Sequence, residues 1–169
     1  MAYIGVVMLM IGMLLLVNAA WLQGKAETRD VGVFNLVVGV ITVAYSGYLG
    51  LAAGIAPLSA AFFLFGMTYV WVGINALRGA ADQKALGFYC LLVAVLCMPF
   101  AFKTLQSGDL AFAIEWLAFG LTWFLFYQLL YAGKVAVMKP LIMMVYLVGF
   151  SAAFTGWSML YGYWPYVTV

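Results

Sequence analysis

Residues 119–126 read FGLTWFLF, residues 65–72 read FGMTYVWV, and residues 11–18 read IGMLLLVN. Gly12, Gly66 and Gly120 are separated by the same 54 residues. Counting from each glycine, Met8, Phe62 and Trp116 stand at −4, Ile11, Phe65 and Phe119 at −1, and Leu15, Tyr69 and Trp123 at +3. These offsets fall on one stripe of an α-helix. At +2, beside the stripe, stand Leu14, Thr68 and Thr122. The chain therefore presents the same helical face three times, built of large side chains and rings around a small residue.

The material around these stretches fixes the solvent they live in. Of 169 residues, 69% are hydrophobic and 7% charged, whereas a soluble domain is about half apolar and about a quarter charged. The fold class is an all-α integral membrane protein. Apolar runs long enough to cross a bilayer cover roughly 2–22, 32–53, 59–77, 86–102, 110–132 and 141–163. They are continuously apolar, which rules against the alternation of a membrane barrel strand. No Lys or Arg precedes the first run, so it reads as a retained membrane helix rather than a cleaved leader.

The connections alternate in charge. Segments 23–31, 78–85 and 133–140 carry the basic residues Lys25, Arg29, Arg78, Lys84, Lys134 and Lys139, while the one basic residue of 54–58 and 103–109 is Lys103. Basic loops stay in the cytoplasm, which sends both termini outward. A period of one hairpin gives three like-oriented helical hairpins, approximately 1–54, 55–108 and 109–169, in a single six-helix channel domain. Three such hairpins can close around a common axis, with the faces of helices one, three and five turned inward. This is a parallel repeat, unlike the inverted repeats of many carriers.

The composition also removes functions. There is no basic cluster to bind nucleic acid. The absence of His leaves Cys90 and Cys97 without metal partners, and their spacing of two helical turns is too long for a disulfide. An intramembrane hydrolase needs a nucleophile beside a base, or a metal, and neither pattern occurs. No cofactor is called for. A partner anchor without a pore needs docking surface that these short loops lack. A conduit ranks above these readings, and above the plain reading of the stripe as the packed core of a bundle. A slot lined by rings, with the hydroxyls of Thr68, Tyr69 and Thr122 near it, suits a small, flat, neutral solute. Asn18 extends the polar set toward the cytoplasm, and Glu115 stands near the outer mouth. An enzyme is not expected. A proton-coupled carrier using Glu115 is the competing reading.

The stretches FGMTYVWVGINALRG (65–79) and EWLAFGLTW (115–123), with GVVMLMIGMLLLVNA near the start and NLVVGVIT (35–42), resemble the AmiS/UreI family of urea and short-chain amide channels. The likeness runs across nearly the whole chain. It implies a twisted bundle of three hairpins with a pore in each protomer, a hexameric ring, and a bacterial inner membrane. It also implies a functional link to a cytoplasmic amidase or urease. Position by position it assigns the pore to Ile4, Met8 and Leu15, to Phe65 and Tyr69, and to Trp116 and Trp123. Phe119 stands where a Trp can occur and Thr122 where an aliphatic residue can occur. Tyr146 replaces the Glu that some members carry six residues after the proline opening the last helix. With no His to titrate, the pore is expected to conduct at neutral pH without steep acid activation.

Overall fold

The computed structural model describes residues 2–165, with side chains from residue 4 onward. The last four positions of the third repeat, 166–169, lie outside the described residues. The elements are α1 (Ala2–Leu22), α2 (Thr28–Leu51), α3 (Ala56–Leu77), α4 (Lys84–Gln106), α5 (Leu110–Leu130) and α6 (Met138–Leu160). A 3₁₀ turn at Val135–Val137 leads into α6. All six α-helices are long and apolar enough to span a bilayer.

Four helices, α2, α3, α4 and α6, start two to four residues before the apolar runs read from the sequence. α2 begins at Thr28 because the Glu27 side chain accepts the Asp30 amide, which caps the first turn and draws Arg29 and Asp30 into the helix. α4 runs from Lys84 through Pro99 and Lys103 to Gln106. Pro57 lies in the first turn of α3, where its missing amide costs nothing. Each helix is followed by a glycine with positive φ: Gly24, Gly54, Gly79, Gly108, Gly133 and Gly162. The left-handed conformation ends a helix sharply and is strained for other residues. Gly54, Gly108 and Gly162 repeat the 54-residue step on the outer side. They are a second mark of the threefold repeat.

Packing cuts across the hairpins. The extensive seams are α2 with α3, α4 with α5, and α1 with α6, while α1–α2 and α3–α4 touch only lightly. The physical cause lies in the glycines. A Cβ placed on Gly12 would lie 2.3 Å from the Ala153 amide nitrogen of α6. On Gly66 it would meet Val43 of α2 at 2.8 Å, and on Gly120 it would meet Met98 of α4 at 3.0 Å. Each repeated glycine thus seats its odd-numbered helix against the even helix before it, cyclically. Close backbone approach is how membrane helices gain packing energy without a hydrophobic drive. The α1–α6 seam closes the ring.

The odd-numbered helices do not bring their backbones together. Their large side chains meet instead: Ile11, Leu15, Tyr69 and Trp123 are all at most 2% exposed. The lipid-facing surface is apolar, as in Met143, Leu147, Phe150 and Phe154 of α6, spaced one helical turn apart and exposed.

Candidate functional site

The repeated stripe converges on the axis. Toward the outer side, Met8 and Ile11 of α1, Phe62 and Phe65 of α3, and Trp116 and Phe119 of α5 surround a cavity of about 10 Å³. That is room for roughly one water molecule. Phe112, Leu58 and Ala61 complete its wall. Toward the basic side, Leu15, Tyr69 and Trp123 border a much larger chamber of about 240 Å³, together with Asn18 and Thr68. Trp21, Leu22 and Gln83 carry this chamber to the basic end of the bundle.

The two cavities share no lining residue. Rings in mutual contact lie between them. The Phe65 and Trp123 centroids are 4.9 Å apart at 72°, Phe65 and Phe119 are 5.0 Å apart, and Phe119 and Trp123 are 5.8 Å apart. Edge-to-face pairs of this kind are mutually attractive. The slot expected from the sequence is therefore shut at this level by three rings. Tyr69 stands beside them, 6.2 Å from Trp123.

Polar atoms near the rings are fixed in different ways. The Trp123 indole N–H donates to Thr68 Oγ1 at 3.2 Å, and Thr68 donates to the Leu64 carbonyl. That chain fixes the Trp123 ring plane. The Tyr69 hydroxyl has no partner among the described residues although it is buried. A buried hydroxyl without a hydrogen bond is costly, and such groups call for an explanation. Asn18 and Asn35 exchange side-chain hydrogen bonds of 3.1 and 2.7 Å, joining α1 to α2 at the chamber wall. None of the residues lining either cavity is charged.

Three expected residues stand elsewhere. Glu115 lines neither cavity. Its Oε2 accepts from the Thr155 hydroxyl of α6 at 2.9 Å, and its Oε1 has no partner among the described residues. It precedes Trp116, and successive helical residues diverge by about 100°, so the stripe that turns Trp116 to the axis turns Glu115 toward α6. Thr122 is fully buried, and its hydroxyl donates back to the Ala118 carbonyl, as off-stripe threonines do. Ile4 is buried at the outer end of α1 and borders neither cavity.

The stripe runs one turn further than the three offsets read from the sequence. Asn18, Val72 and Phe126 stand at +6 from the three glycines, and all three border the chamber. Extending the count finds them. Leu86 and Cys90 come from α4, and no periodicity on the odd helices points to them.

A family model described as "AmiS/UreI family transporter" matches residues 3–163. The chain belongs to the AmiS/UreI family. This is a family of transporters, not of enzymes. A putative transporter protein of Rhodococcus erythropolis, AmiS2, is 30% identical over 96% of this chain and 74% of its own length. A putative amidate substrates transporter protein of Mycolicibacterium smegmatis is 29% identical over 79% of this chain and 64% of its own. Among solved structures, the crystal structure of the Helicobacter pylori urea channel superposes with a TM-score of 0.83 at 24% identity, covering 95% of this chain and 99% of that one. The same channel in its closed state gives a TM-score of 0.75 at 25% identity, covering 95% and 98%. The six-helix fold is thus that of the urea channel, and the AmiS/UreI assignment covers every helix.

Proposed function

We propose that this AmiS/UreI protein is a passive channel for small neutral amides of the size of urea or acetamide. One observation carries the reading: both cavities on the axis are walled without a single charged side chain. An ion entering such a wall loses hydration that nothing replaces, at a cost of roughly 3 kcal/mol or more per charge. A neutral amide loses less, and it can exchange water for ring faces and for the unpartnered Tyr69 hydroxyl. Binding stays weak, as fast passage requires. The contact between Phe65, Phe119 and Trp123 has to part for a solute to pass, and it is made by side chains rather than by helix backbones.

Residues given the conducting role are Met8, Ile11, Leu15, Phe62, Phe65, Tyr69, Trp116, Phe119 and Trp123, with Thr68 and Asn18 as polar neighbours. The protein sits in the bacterial inner membrane with the basic loops in the cytoplasm, as a hexameric ring whose protomers each conduct. A cytoplasmic amidase or urease would consume the solute. The test is stopped-flow acetamide and urea flux into proteoliposomes. A channel gives flux that stays proportional to concentration and ignores an imposed proton gradient.

A second reading rests on Glu115, a buried carboxyl group with one unpartnered oxygen among the described residues. A proton-coupled amide carrier would saturate, respond to the proton gradient, and lose that response in Glu115→Gln.

A further inference from the structure

The two cavities on the axis differ more than twentyfold in volume, about 10 against about 240 Å³. A urea-sized solute does not need the larger one. An apolar protein cavity of about 150 Å³ already takes up benzene. The chamber wall offers ring faces and edges from Trp21, Tyr69, Trp123 and Phe126. It also offers carboxamide chemistry. Asn18 spends one N–H and one oxygen lone pair on Asn35, which leaves one donor and one acceptor over. Gln83 brings a second carboxamide at the mouth.

We propose that the inner chamber is a binding site for flat aromatic primary amides, which enter from the basic side and stall against the ring contact. The proposal rests on the route argued above and adds a second ligand class to it. The aromatic ring lies among the indole and phenyl walls. The carboxamide pairs with the spare donor and acceptor of Asn18, or with Gln83. An aromatic carboxylate finds no cation on the wall, and an unsubstituted aromatic leaves those amide groups unpaired. Passage outward requires the ring to cross the Phe65–Trp123 contact into a space of about 10 Å³, which must widen for any amide and by much more for an aromatic one than for acetamide. Small amides cross; aromatic ones bind and obstruct.

The probes are benzamide, benzoate and toluene, titrated by calorimetry into the purified full-length protein in detergent. Benzamide is expected to bind saturably, at least about tenfold more tightly than benzoate or toluene. Leu129→Trp, which fills the chamber, removes binding. Should that variant not fold, Val72→Phe weakens it and Gln83→Leu reduces the preference for benzamide over toluene. In proteoliposomes, saturating benzamide slows acetamide flux at least about fivefold. No benzamide binding, with acetamide flux intact, overturns this proposal and leaves the channel reading standing. Toluene binding as tightly as benzamide overturns the amide recognition. Benzamide binding in the chamber without slowing acetamide overturns the obstruction and takes the chamber off the route, while the channel reading is judged by its own flux test.

Discussion

Tyr69 and Trp123 occupy corresponding positions on α3 and α5, yet the protein satisfies only one of them. Trp123 donates to Thr68, whereas the Tyr69 hydroxyl has no partner among the described residues. Tyr69→Phe therefore removes no hydrogen bond of the fold. Its melting temperature should stay within the change that about 0.5 kcal/mol produces, while amide flux falls severalfold. Equal flux in wild type and Tyr69→Phe would show that the hydroxyl does not meet the solute. Trp123→Ala is the opposite case. It costs about 3–5 kcal/mol of packing and opens the shut level, so larger neutral amides should pass and discrimination by size should fall. Stopped-flow flux of acetamide against a bulkier amide measures this. The Asn18–Asn35 pair gives a stability test. Asn35→Leu strands the buried Asn18 amide and lowers stability by about 1–2 kcal/mol, and adding Asn18→Leu restores part of the loss. Thermal melts of the two single variants and the double variant read the coupling.

At the scale of the helix, glycines divide the work with the rings. Gly12 faces the α6 backbone, and even Gly12→Ala would put a Cβ 2.3 Å from the Ala153 nitrogen. The α1–α6 seam should then part, with loss of folded yield. A Cβ added to Gly47 of α2 would meet nothing within 4 Å, so Gly47→Ala should gain up to about 1 kcal/mol of helix propensity. Folded yield after detergent extraction compares the two. At the start of α2 the Glu27 carboxyl is exposed and lies below its ordinary value of 4.5, because it accepts from the backbone amides of Arg29 and Asp30. Its stabilising effect is complete above that ordinary value and fades as pH falls through the lowered one. The melting difference between wild type and Glu27→Gln should be present at neutral pH and vanish under strongly acid conditions. Such local devices are partly legible in the chain itself. The three stripe glycines are, because they recur at a fixed step; their seam partners are not, because a glycine in a sequence does not say which backbone approaches it.

For the whole molecule, the threefold arrangement makes the axis a property of no single hairpin. One consequence concerns pH. The chain contains no His, and neither axial cavity is lined by a titratable carboxylate or amine. Acetamide flux at pH 7.5 and pH 5 should differ by less than about tenfold; a steeper rise on acidification would require a switch outside the axial wall. The sequence by itself determined the solvent and the six spans, and it predicted an orientation from Lys and Arg and a shared inner face for Phe65, Tyr69, Trp116 and Trp123. Each follows from composition or from a period along one chain, and such signals survive without knowing what faces what. Only the tertiary structure decided that α1 pairs with α6, that Glu115 turns to Thr155, and that three rings shut the axis between unequal cavities. Those outcomes depend on contacts between residues far apart in sequence. One residue's step around a helix, about 100°, suffices to move a carboxylate from the axis to a seam.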